Sequence, residues 1–303
     1  MVAVSGLDAY APKEIATRLA AIGATKARLP LLSTVTLGIL AGGFIALGAL
    51  YYTLVASDPS LGFALGRVLG GVVFSLGLVL VVVAGAELFT GNNLLVMAWV
   101  ARRITAVELF RNLGIVFVAN LAGAVGLALV VILSGEWRLG GEQVGQAAVG
   151  IAAAKTALPL AEAFFRAVLC NVLVCLAVWM ALAGRSVTDK VLAVVFPISA
   201  FVAAGLEHSV ANMYFIPLGI LLRDQVAVTS VGDLDALTWA GFVRNMVTVT
   251  LGNIVGGSVM VGLVFAIVYR RDVMSGALSA GERDGDEHHP RDASPSAPPP
   301  MGG

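Results

Sequence analysis

Charge is scarce in this chain: only 13% of its 303 residues are Asp, Glu, Lys or Arg, against 58% hydrophobic, and acids and bases balance at 19 each. The balance excludes the one-signed field with which a protein holds nucleic acid or another highly charged partner. The low charged fraction excludes an ordinary soluble domain. Cysteine is limited to Cys170 and Cys175, both inside one apolar run, where a buried reduced thiol is the usual state. Neither a disulfide framework nor a metal centre is expected. Histidine is nearly missing as well, with His208 in the body of the chain and His288 and His289 near its end. One intramembrane histidine cannot supply bis-histidine haem ligation, so a membrane redox enzyme is set aside and no cofactor is expected.

What remains is long apolar sequence. Six hydrophobic segments lie at about 31–55, 66–101, 112–134, 160–183, 191–222 and 246–269, the pattern of a polytopic, all-α membrane protein with six transmembrane helices. The second and fifth are too long for one crossing. A continuous helix over 191–222 would reach about 48 Å, against a hydrocarbon core of about 30 Å. Both are therefore expected to be broken helices, and open backbone at depth is tolerated only where protein covers it or it lines a wet cavity. Ahead of the spans, Pro12 heads a pattern in which Ile15, Leu19 and Ile22 share a face, so residues 1–30 are expected to hold an amphipathic helix on the cytoplasmic membrane surface. Residues 31–271 form the transmembrane pore domain, and the charged, Pro- and Ser-rich stretch 272–303 is expected to be a disordered cytoplasmic tail. The first apolar run is too late and too long for a cleaved signal peptide.

Lys and Arg set the orientation. With both termini inside, eleven Lys and Arg fall on the cytoplasmic side and six outside, the expected bias for a multi-pass protein of the cell membrane. The connection 135–155 is then an external loop and Lys155 an extracytoplasmic charge. The two halves, about 31–134 and 160–271, repeat one another. Ala84-Gly85-Ala86-Glu87 precedes Asn92 by the spacing with which Ala204-Gly205-Leu206-Glu207 precedes Asn212, and Arg111-Asn112, Asn120 and Gly123 match Arg244-Asn245, Asn253 and Gly256. Each half has three spans, so the second must be inverted relative to the first, an arrangement that puts a binding site near the midplane.

His208 is the sharpest candidate, because an ionisable group in a broken helix at membrane depth normally faces a pathway. With an ordinary pKa of about 6.5, imidazole can donate a hydrogen bond or a proton to an anion. Glu87, Asn92, Glu207 and Asn212 cluster at the two breaks, where their oxygens are expected to cap freed backbone N–H groups. Thr90, beside Gly91, is placed either to cap or to touch a small solute. Lys155 is either a solvated loop charge or a cation that concentrates anions at an outer mouth. Asn171 and Asn253 lie inside spans, where a neutral amide bonds across helices or to a pore lining.

At Ala86-Glu87-Leu88-Phe89-Thr90-Gly91-Asn92, Cys170-Asn171 through Val178-Trp179, Glu207-His208-Ser209-Val210-Ala211-Asn212-Met213 and Gly252-Asn253-Ile254-Val255-Gly256-Gly257, the sequence resembles the formate/nitrite transporter family. The resemblance runs over roughly residues 10–272. It implies an aquaporin-like inverted repeat assembled as a homopentamer with one pore per protomer. It also implies that His208 is the central pore histidine, that Thr90 lies on the loop interrupting the second helix, that Lys155 lines the outer vestibule, and that Asn171 and Asn253 are polar pore residues nearby. Phe74, Phe201 and Val174 would form the outer apolar constriction, and Leu78, Leu88 and Phe89 the cytoplasmic one.

The function expected is transport of a small monovalent weak-acid anion, formate first and nitrite next, with acetate, lactate and hydrosulfide left open and protons as co-participants. An anion in an apolar constriction is costly and the neutral acid much cheaper to move, which gives Lys155 the attraction of the anion and His208 the reduction of its charge. A neutral-solute channel for water or glycerol fits the architecture but lacks its paired Asn-Pro-Ala boxes. A structural or partner-binding membrane subunit would carry no solute. No enzymatic activity is expected on any of these readings.

Overall fold

The computed structural model describes residues 9–226 and 234–274; the expected tail beyond 274 lies outside the described residues. Among these residues every regular element is helical: α1 (Pro12–Ala27), α2 (Leu31–Ala56), α3 (Phe63–Ala84), α4 (Phe89–Asn92), α5 (Val96–Val100), α6 (Ala106–Ser134), α7 (Gln143–Thr156), α8 (Leu160–Ala183), α9 (Val187–Ala203), α10 (Ser209–Leu222), α11 (Trp239–Ile254) and α12 (Val264–Val268). Five stretches are long and apolar enough to cross a membrane: α2, α3, α6, α8 and the run Trp239–Val268. The predicted fifth span is split into α9 and α10, of 17 and 14 residues, on either side of a break. The predicted second span breaks after α3 and resumes as the short α4 and α5.

Both breaks have the same local cause. Gly85 and Gly205 adopt φ of +68° and +72°, a left-handed conformation that a residue with a Cβ rarely enters, and each ends its helix there. The chain then runs extended through Leu88 and His208 before turning into α4 and α10. Close helix approach is repeated too. A Cβ on Gly123 of α6 would collide with the carbonyl of Ile39, and one on Gly256 with the carbonyl of Val168. Contact of this kind substitutes for the hydrophobic drive that lipid does not provide. The halves then diverge, since the chain after α11 is π-helical over Val255–Leu263 while α6 stays regular.

Three expectations need correction. The connection 135–155 is not a loop: it is a 3₁₀ turn (Glu136–Arg138) followed by α7, whose Val144, Ala148, Val149 and Ala152 are buried. Small residues let α7 lie against α10, where a Cβ on Gly219 would collide with Ala152. Nor does α1 turn its apolar face to lipid, for Ile15, Ala16, Leu19, Ala20 and Gly23 are buried against the protein, with Ala98 next to Gly23. Residues 272–274, assigned to the tail, continue in helical conformation, and Val273 is buried. The repeat is consequently longer than its sequence signal: α1 opens the first half as α7 opens the second.

Candidate functional site

Each break is held by a buried polar frame, the two alike except that Lys26 Nζ also donates to Asn92 Oδ1 at 3.1 Å, whereas Lys155 makes no such bond to Asn212. In the first, Lys26 at the end of α1 meets Glu87 at 2.9 Å, Asn92 donates to Glu87 at 2.7 Å and to Asn112 at 2.9 Å, and Asn112 donates to the Lys26 carbonyl at 3.1 Å. In the second, Lys155 at the end of α7 meets Glu207 at 2.9 Å, Asn212 donates to Glu207 at 2.7 Å and to Asn245 at 2.8 Å, and Asn245 donates to the Lys155 carbonyl at 3.0 Å. Glu87 and Glu207 are 1% and 3% exposed, and a carboxylate so deep persists only when paired and hydrogen-bonded. The Glu–Asn pairs thus support the breaks, but through lysine and each other. They do not cap the backbone as the sequence suggested.

The backbone is capped from the facing helix. Asn120 of α6 accepts the Phe89 N–H at 2.9 Å and donates to the carbonyls of Gly38 and Glu87. Asn253 of α11 does the same for Ser209 at 2.9 Å, donating to the carbonyls of Ala167 and Glu207. Asn253 is therefore a brace of the break, with all three contacts directed at backbone. Asn171, fully buried, donates to the Asn253 carbonyl at 2.7 Å and to the Thr90 carbonyl at 3.3 Å, tying the second half to the first.

One position departs from the repeat in a chemically decisive way. His208 occupies the place that Leu88 holds in the first half, as the residue immediately before the short helix. Its Nδ1 accepts the Ala211 N–H at 3.1 Å, so the ring proton of the neutral imidazole is on Nε2, which donates to the Thr90 hydroxyl at 3.0 Å. Phe201 stacks on the ring at a centroid distance of 5.8 Å, and Phe74 meets Phe201 edge to face.

Two cavities approach this pair from opposite ends of α3, α8 and α9. One, of about 230 Å³, is lined by Arg67, Phe74, Lys155, Arg166, Phe201, Glu207 and His208 among others. The other, of about 260 Å³, is lined by Lys26, Leu78, Ala86, Leu88, Asn92, Val178 and Lys190 among others. Phe74 faces the first and Leu78 the second. The two positions lie about one turn apart on α3, roughly 6 Å along its axis.

The sequence-chosen residues thus divide. His208 and Lys155 line one cavity and Leu88 and Leu78 the other, with Thr90 buried against the ring. Val174 is buried in the core, and neither it nor the asparagines Asn171 and Asn253 line either of these two cavities. Phe89 points elsewhere: its ring packs on Phe117 at 5.1 Å and lines a lateral apolar groove with Trp99 and Phe110. Lys155 is not a solvated charge, since its side chain is 14% exposed and paired with Glu207. Sequence reading missed Lys26 as its counterpart, although both lysines end the helix that opens a half.

Comparison with known proteins agrees with this architecture. Residues 13–267 match the formate/nitrite transporter family. The formate channel FocA of Escherichia coli (strain K12) is 39% identical over 281 residues, covering 90% of this chain and 99% of that protein. Among solved structures, a pentameric formate channel with formate bound superposes with a TM-score of 0.72 at 34% identity, covering 79% of this chain and 97% of its own. An FNT family ion channel superposes with a TM-score of 0.73 at 32% identity, covering 84% and 98%.

Proposed function

The chain belongs to the formate/nitrite transporter family, and from that premise we propose that it forms a homopentameric membrane channel in which each protomer passes a small monovalent weak-acid anion, formate first. Both termini face the cytoplasm on this reading, and the Lys155 cavity opens outward. The observation that carries it is the position of the His208–Thr90 pair, with a cavity on either side and apolar rings and leucines closing the gap.

An anion reaching the Phe74–Phe201 side loses hydration, and in a medium of low dielectric it needs a donor or a proton. His208 offers Nε2–H, and an arriving carboxylate oxygen takes the place of the Thr90 hydroxyl as acceptor. In its neutral form the ring only lends a hydrogen bond. A doubly protonated ring, which gives up the Ala211 contact at Nδ1, can hand the Nε2 proton to the anion, so that neutral acid crosses the leucine side and releases that proton on ionising beyond it, while a proton taken up from the solution on the entry side restores the ring. Acidification is therefore expected to change the protein-dependent flux.

Reconstitution into proteoliposomes tests the class directly. Swelling in formate but not in glycerol is the expected result, and glycerol permeation equal to that of formate would replace this reading with a neutral-solute channel.

A further inference from the structure

The charge expected to draw anions into the Lys155 cavity is Lys155, yet Lys155 is neutralised by Glu207 at 2.9 Å. Arg166, on the same cavity wall, is paired with Glu162 at 2.9 Å. Arg67 is the remaining cation there, and among the described residues no carboxylate pairs with it. It is also held in place. Its Nε donates to the Ala203 carbonyl at 2.8 Å, at the end of α9, and its Nη2 lies so close to Gly205 that a Cβ there would collide with it. The missing side chain of Gly205 seats the guanidinium over the break, on the cavity wall, and its Nη groups make no hydrogen bond among the described residues.

Building on the anion-channel reading, we propose that Arg67 is the capture site for the incoming monovalent anion at the Lys155 mouth, holding it by charge before it reaches His208. One anchored cation in a cleft with low-dielectric walls raises the local anion concentration. The cavity at the opposite end is built alike. Lys26 is neutralised by Glu87, and Lys190 on α9 lines the wall with no carboxylate partner among the described residues. Relative to Glu87 and Glu207, Arg67 and Lys190 stand one helical turn apart in their respective halves, so each mouth combines a neutralised lysine with one free cation from the broken helix.

Binding of ¹³C-formate to the detergent-solubilised full-length protein, read by saturation-transfer NMR, tests this separately from transport. Arg67→Gln is expected to weaken binding about three- to tenfold and to flatten its dependence on ionic strength. Arg67→Lys, which keeps a charge but loses the fixed fork on Ala203, is expected to bind within about twofold of the parent. Glu162→Gln, an exposed change that frees Arg166, is expected to tighten binding about twofold. Arg67→Gln binding like the parent, Arg67→Lys binding as poorly as Arg67→Gln, or no tightening in Glu162→Gln would each overturn the proposal, and so would a parent protein that binds no formate. Formate binding without formate flux would leave Arg67 in place and overturn the channel reading alone.

Discussion

The two helix breaks share a scaffold and differ in their chemistry. Lysine from the opening helix, glutamate after the left-handed glycine, asparagine five residues on and asparagine from the next span recur in both, with matching distances. Against that constancy, Leu88 faces the position of His208, and Thr90 that of Val210. The frame is duplicated while the hydrogen-bonded His208–Thr90 pair is single, its histidine from one half and its hydroxyl from the other. A fold with inverted halves can thus keep two similarly framed cavities and still place one titratable ring near their junction.

The ion pairs give the largest expected effect. Glu207→Gln leaves Lys155 charged in a site where its side chain is 14% exposed, and is expected to cost about 3 kcal/mol in thermal or denaturant stability of the purified protein. Glu87→Gln, opposite the 26%-exposed Lys26, is expected to cost less, about 2 kcal/mol. Equal losses would argue that the difference in burial has no energetic weight. Next come the braces: Asn120→Ala and Asn253→Ala each remove a buried cap on the break and are expected to cost about 2 kcal/mol each, within error of one another. A large inequality would break the symmetry of the frames. Smaller still is Thr90→Val, which keeps the shape and removes the acceptor of His208 Nε2–H. It is expected to slow formate flux about fivefold, corresponding to roughly 1 kcal/mol, whereas Val210→Thr at the matching position is expected to leave flux within about twofold.

Much of this arrangement is legible in the chain. Over-long apolar runs announce the breaks, and a repeated Gly-x-Glu with asparagine at a fixed offset locates them, because these residues must sit at one place on the backbone to work. The lysines are harder to match. Lys26 and Lys155 arrive from opening helices joined to the spans by different connections, so no constant offset relates them to Glu87 and Glu207. Asn120 and Asn253 show as a repeat, but their caps reach across helices and depend on packing that sequence spacing does not encode. Phe89 is placed in the cytoplasmic constriction by the family resemblance, whereas the turn into α4 sends it and Leu88 to different surfaces.

The titratable part of the difference between the halves can be removed with one substitution, His208→Leu, which gives the second break the residue that Leu88 supplies in the first. Protein-dependent formate flux into proteoliposomes, followed between about pH 5 and pH 8, is the direct test. The account predicts that the parent changes its flux across this range and that His208→Leu does not. An unchanged pH profile in the folded variant would contradict the claim that the single imidazole between the two cavities governs passage.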